Sequence, residues 1–279
     1  MIRFAMKSTF LTFAVLFTAI NLSYGEIKRE DVLMAFTFAA GDGKIGQVAD
    51  GILKDVSGNG HDGEFRQKPK WVKGVWGAGL EVGPAEVAWN AVTIPHTGDM
   101  DLKEFAIGAW VKAEKLVGDC CNMIVSKENW SGNKSRNYSM WMREPVIVGF
   151  ITKDPFNDVQ TGGIQITDGE WHHALGTYNG SDLTQYVDGV AHGKFLFGKQ
   201  DPSFHSSERL HIGAMGPGGT GAGMEGVVDE VVIFNRGLTE HEVNSLMDQG
   251  LEKLLGYQAV DPHDKMATTW AGLKLAKDL

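Results

Sequence analysis

The chain has 279 residues, 43% of them hydrophobic, with 26 Lys and Arg against 35 Asp and Glu for a net charge of −9. That is enough apolar material for a large core, and an acidic chain without a Lys/Arg cluster is poorly suited to nucleic acid or an anionic lipid surface. The two cysteines, Cys120 and Cys121, are adjacent and cannot build a disulfide framework, so the fold must stand on its packing.

Arg3 and Lys7 precede the apolar run "FLTFAVLFTAI", and Ser23-Tyr24-Gly25 follows it. This pattern predicts a secretory signal peptide over residues 1–25, and hence a mature chain that is secreted, periplasmic or at the cell surface. The run is shorter than the ~20 apolar residues of a spanning helix, and no later segment is long enough to cross a bilayer.

Short β-branched or aromatic runs bounded by turn residues then recur: 33–39, 79–82, 91–95, 105–113, 122–127, 137–143, 146–151, 162–167, 171–179, 209–214 and 226–235. In "FAIGAWVKA" (105–113), Phe105, Ile107, Ala109 and Val111 share one face, as the period of a strand requires. Trp110 and Trp171 also fall in strands and are assigned to the core. Residues 183–195 read as a hairpin around Asp188-Gly189, a pair that tolerates the positive φ of a tight turn. One helix is predicted over 238–250, with Thr239 as its cap, Glu242 completing a capping box and Gly250 as its stop. Many strands and one late helix make an all-β protein, a two-sheet antiparallel β-sandwich. Residues 26–255 form this domain, and 256–279 form a linker and a short amphipathic segment around Trp270.

"DVSGNGHDG", residues 55–63, gathers oxygen-bearing and flexible residues in one place. Read as a calcium loop, it puts Asp55, Ser57 and Asn59 at alternate positions, Gly60 at the bend, and the carbonyl of His61 next. Arg66 stands where an EF-hand carries its bidentate glutamate, and the flanks read as strand, so this is not an EF-hand. Further oxygens must then come from elsewhere. Asp229 interrupts the apolar run 226–235. Strict alternation places it with Val227, Val231 and Ile233 on an inward face and turns Glu230 outward. An inward carboxylate needs a partner, and a structural Ca2+ held jointly with Asp55 would be one. The same residue types also make plain Asx turns.

In order, "DVSGNGHDG", "GAGLEV", "FAIGAWVKAE", "IVSKEN", "WHHALGTYNGSDLTQYVDGV", "LHIGA" and "GVVDEVVIFNRGLTEHEV" resemble the laminin-G-like, concanavalin A-type jelly roll. The resemblance spans about residues 31–250. It implies a structural calcium ion on Asp55, Asn59 and Asp229, with Ser57 and His61 as softer transfers. Together with the predicted signal peptide, the expected function is an exported recognition module that binds carbohydrate or extracellular protein partners through its loops.

Catalytic signatures are missing. Glycosidases on this fold carry E-x-D-x-E or E-x-D-x-x-E on one strand, and the nearest approach here is Glu225 with Asp229, without the intervening acid. His241-Glu242 begins an H-E-x-x-H motif, but Ser245 stands at its second histidine. "GPGGTG" (216–221) leads into a strand, so no helix N-terminus waits for a phosphate. The expectation is a non-enzyme, with a jelly-roll glycoside hydrolase or lyase and a surface-assembly protein as alternatives. Trp76, Trp89, Trp130 and Trp141 are the aromatics to weigh for ligand contact. Trp130, with Asn133 and Arg136 in "NWSGNKSRNYS" (129–139), is the candidate ligand-binding set; sequons at Asn129, Asn133 and Asn137 mark the stretch as an exposed loop.

Overall fold

The structure, a computed structural model, describes residues 26–38, 44–66, 68–83, 92–117, 122–128, 136–143, 146–149, 164, 166–196, 207–215 and 223–256. The signal-peptide segment, Cys120, Cys121 and residues 257–279 lie outside them. Within the described residues run fifteen strands: β1 (Val32–Phe36), β2 (Ile52–Leu53), β3 (Gly63–Phe65), β4 (Lys70–Lys73), β5 (Ala78–Val82), β6 (Val92–Ile94), β7 (Phe105–Lys112), β8 (Asn122–Glu128), β9 (Arg136–Arg143), β10 (Val146–Gly149), β11 (Trp171–Tyr178), β12 (Asp182–Val187), β13 (Val190–Leu196), β14 (Leu210–Ile212) and β15 (Gly226–Phe234). One α-helix, α1 (Glu240–Leu255), follows.

The strands form two antiparallel sheets. Sheet A runs β13-β12-β11-β7-β15-β5-β4, with β1 also on β15, and sheet B runs β10-β9-β8-β14-β6-β3-β2. The expected β-sandwich is therefore the observed architecture. Alternation supplies the inner faces: Ile107, Ala109 and Val111 of β7 meet Val92, Ile124 and Ile212 from sheet B in one buried core. Trp71 is the core tryptophan, with Phe38 and Phe65 edge-on to its ring. Trp110 and Trp171 are not in that core. Trp110 sits half-buried on the outer face of sheet A, its ring 5.3 Å from that of His173, and Trp171 is also half-buried. Asp188 and Gly189 make the predicted hairpin with φ 50° and 76°.

The helix covers the outer face of sheet A. Val243, Leu246, Leu251 and Leu255 pack on Val32, Ala35, Leu175, Val232 and Phe234. Its start is as predicted: the Thr239 side chain accepts from the Glu242 N–H, and the Glu242 carboxylate accepts from the Thr239 N–H. Arg236 fastens this corner, bonding Glu242 at 2.6 Å and Asp31 at 2.9 Å. Gly250 interrupts the helix (φ 68°, ψ 166°) without ending it, and Gly256 in the left-handed region is the true C-cap. Among the described residues no helix is long and apolar enough to cross a membrane.

Candidate functional site

Strand β1 pairs with β15 along one edge only, which leaves its other edge open. The loop after β2 closes it. One oxygen of Asp55 accepts from the Ala35 and Ser57 N–H groups, and the other accepts from the His61 N–H, each at 3.0 Å. The Val56 N–H donates to the Ala35 carbonyl, the Ser57 hydroxyl to that of Leu33, and the Asn59 amide to those of Val32 and Leu33. Side chains thus stand in for the missing neighbour strand, and the loop ties β2 of sheet B to β1 of sheet A. The His61 ring is buried beside Thr97 and Asp99, 3.1 Å from the latter's carboxylate.

Asp229 and Glu230 sit in a β-bulge, where three steps along β15 (Asp229 to Val232) oppose two along β7 (Trp110 to Gly108). The extra residue is Glu230, at φ 50°. The bulge shifts the alternation. Val228, Val231 and Ile233 face the inter-sheet core, whereas Asp229 pairs with Trp110 and so faces outward beneath the 74–77 turn. Asp229 is nonetheless 0% exposed: Val75 and Trp76 donate to one of its oxygens and Glu230 N–H to the other. A Cβ on Gly74 would meet the oxygen that accepts from Val75 and Trp76 at 2.4 Å, so glycine lets the turn lie directly on the carboxylate. Glu230, expected on the solvent side, is only 5% exposed and accepts a hydrogen bond from Leu251 N–H beyond the helix break.

A groove of about 500 Å³ opens here between the 74–77 turn and α1, lined by Val75, Trp76, Glu230, Gln249, Glu252 and Lys253. Trp76 is 40% exposed. Its indole rests against Gly250, where an added Cβ would come within 3.1 Å of the ring. Glycine is doubly required at 250, by its φ of 68° and by this contact. One side of the ring is therefore held by backbone while the rest stays open, with an amide, a carboxylate and an ammonium around it. Of these residues, Trp76 was a sequence candidate. Glu230, Gln249 and Lys253 carried no signal beyond two adjacent acids in an apolar strand.

Burial pushes the Asp229 carboxyl up to about 6 and the Glu230 carboxyl up to about 8. For Glu230 the charges of Asp229 and Glu252 push the same way, against the N–H of Leu251. Both values exceed the unfolded ones near ~3.9 and ~4.3, so the stability these protons confer is complete below about pH 4. It is lost as pH rises through 6 and then 8. Melting temperature is expected to fall as pH rises from about 4 to about 8 and to level off above that, and Glu230→Gln, which keeps an acceptor without a charge, should flatten the fall. An identical slope in the variant would refute the assignment.

The five expected calcium ligands do not come together. Asp55, Ser57, Asn59 and His61 share one loop, Asp229 lies under another, and the hydrogen-bond partners of the two carboxylates have no residue in common. Each carboxylate already receives three N–H groups, which leaves little of its ~four lone-pair sites for a hard cation. Among the described residues no group of three or more His, Cys, Asp or Glu is placed to hold a metal. As arranged, the set does not fit a shared calcium ion. Trp130 and Asn133 lie outside the described residues. Arg136 opens β9, and Asn137, expected in an exposed loop, is buried in that strand.

Several solved structures share the fold at low identity. The binding domain of Paraclostridial Mosquitocidal Protein 1 superposes with TM-score 0.59 at 16% identity, over 78% of this chain and 52% of that one. Domain 4 of AbnA, a GH43 extracellular arabinanase from Geobacillus stearothermophilus solved with arabinotriose, gives 0.55 at 14% identity, over 78% and 98%. A structure of botulinum neurotoxin type C, whose cell entry is dependent upon interaction with two ganglioside molecules, gives 0.57 at 11% identity, over 83% and 52%. The chain thus spans about half the length of the mosquitocidal-protein and neurotoxin chains. No curated protein sequence matches it. A family model matches residues 88–244, more than half the chain and most of both sheets, and with the observed two-sheet topology this places the protein in the concanavalin A-like lectin/glucanases superfamily.

Proposed function

We propose that the chain is an exported, non-catalytic module that binds carbohydrate through the groove beside Trp76. The observation that carries this is the ring itself, 40% exposed, backed by Gly250 and bordered by Gln249, Glu252 and Lys253. An aromatic face offers apolar contact to the C–H side of a sugar, while a few polar groups at its rim fix orientation. The nearby acids support binding over catalysis, because Asp229 and Glu230 are committed to backbone N–H groups. The fold relatives include a domain solved with arabinotriose and a toxin dependent on gangliosides, which favours the same ligand class. Export rests on the segment 1–25. In this reading Asp55 and Asp229 hold backbone, and no calcium is required.

Trp76→Ala is expected to weaken binding to a panel of arabino-oligosaccharides and ganglioside oligosaccharides by at least about tenfold, the usual scale for a central aromatic anchor. Trp76→Phe should retain part of the affinity. Calorimetric titration measures both. Unchanged affinity in Trp76→Ala would remove the groove, and reducing ends released by the wild-type chain would make it an enzyme.

A further inference from the structure

Lys127 and Asp101 form a buried pair that the Trp76 groove does not use. Lys127, near the end of β8, is 0% exposed, and its Nζ lies 3.8 Å from Asp101 Oδ1. Asp101 ends the short helical turn Gly98–Met100, its N–H donating to the Gly98 carbonyl, so the backbone holds it in place. Its side chain is only 13% exposed. Aromatic and apolar groups wall the pair in. The centre of the Tyr138 ring is 6.0 Å from Lys127 Nζ, and the Phe105 ring packs on Tyr138 at 5.6 Å. Met100, beside Asp101, is fully buried. Glu208, half-buried just before β14, also acts on the ammonium through its charge.

Ions are costly to take out of water, and in a dry site a proton passing from ammonium to carboxylate leaves a neutral amine and a neutral acid. Burial moves Lys127 in that direction, lowering its pKa to about 8 against the pull of Asp101 and Glu208. A neutral amine is a nucleophile, and the carbon of a neutral carboxyl group beside it is an electrophile. Groups held in register react as if each were present at an effective concentration of ~10⁵–10⁸ M. We propose that Lys127 and Asp101 condense into an amide, an isopeptide bond, with Glu208 carrying the proton. The Nζ lone pair forms a bond to Asp101 Cγ. Glu208 takes the proton that the nitrogen sheds and passes it to the departing hydroxyl. The C–O bond breaks and one water leaves, with no oxidant or reductant required. The amide removes two charges from the interior. It also closes the stretch of chain that leaves β6 of sheet B, runs along β7 of sheet A and returns to sheet B at β8. A covalent link there constrains the unfolded chain as a disulfide would, and two adjacent cysteines cannot supply one.

The test is the mass of the purified chain under reducing and denaturing conditions. The wild type is expected to be one water lighter than its sequence from the observed N-terminus, whereas Lys127→Arg and Asp101→Ala should show their full masses. Trypsin does not cut after an amidated lysine, so digestion should release a branched peptide joining residues 74–103 to residues 116–134. In Glu208→Gln, harvested soon after synthesis, the linked share should fall at least about tenfold, the scale of a lost proton carrier. A wild type at full sequence mass, cut by trypsin after Lys127, overturns the bond and leaves an ordinary buried ion pair. A missing water that persists in Asp101→Ala or Lys127→Arg belongs elsewhere in the chain and overturns it as well. A Glu208→Gln chain that links as fast as the wild type overturns the assignment of the proton carrier. The mass and the branched peptide are both read on the wild type, so a variant that fails to fold does not spoil the test.

Discussion

Asp229→Ala should be the most damaging single change of a polar residue in this protein, with an expected loss on the order of 3–5 kcal/mol. Three backbone N–H groups, of Val75, Trp76 and Glu230, lose their acceptor at once, at a position that is 0% exposed. Asp229→Asn should recover only part of this. Both Asp229 oxygens are in use, two donors on one and one on the other, and an amide offers an acceptor on one side only. Glu230→Ala should cost about 1–3 kcal/mol for the stranded N–H of Leu251, where outward alternation would have predicted almost nothing. Glu230→Gln keeps that acceptor and should be close to wild type at neutral pH. Urea unfolding of the four variants measures the order. A harmless Asp229→Ala would mean that the 74–77 turn does not depend on it, and the shape of the Trp76 groove would then need another cause.

Asp55→Ala is expected to cost about 3 kcal/mol, because Ala35, Ser57 and His61 N–H groups all lose their acceptor and the open edge of β1 loses its cap. Asn59→Ala removes the donor to the Val32 and Leu33 carbonyls and should cost about 1 kcal/mol. The same melts, repeated with calcium and with EDTA, separate an edge cap from a metal site. A cap gives curves that coincide for the wild type under both conditions. A bound ion at a hundredfold excess over its Kd would add about 2.7 kcal/mol. A chelator-sensitive wild type beside an insensitive Asp55→Ala would therefore restore calcium to this loop. Exposed backbone on β1 should also leave Asp55→Ala more prone to associate, which light scattering can follow.

Much of the architecture was legible because it is written in local codes. Period two in "FAIGAWVKA" placed Phe105, Ile107, Ala109 and Val111 toward the core, Asp188-Gly189 named its own turn, and Thr239 with Glu242 announced the helix start. The loop 55–63 was also recognisable as a place where oxygen side chains hold something. What they hold was not. Asp55, Ser57 and Asn59 bind the backbone of a strand some twenty residues earlier, and only the pairing of β1 with β15 leaves that backbone in need.

The face of Asp229 and the burial of Glu230 were misread for the same kind of reason. Alternation assumes one residue per step, and the bulge at Glu230 adds a step that no local pattern in "GVVDEVVIFN" marks. Gly250 likewise reads as a helix stop until Trp76, far away in sequence, is seen resting on it. By itself the sequence determined most of the strands, the 188–189 turn and the start of the one helix among the described residues, because side-chain periodicity and φ preference act within a few residues. The short strands β2, β3 and β4 carried too little pattern to be read, and residues 164, 166 and 167 of the expected strand 162–167 are not strand. Tertiary structure alone decided which carboxylate meets which N–H group, because that depends on the backbone groups distant strands leave unpaired.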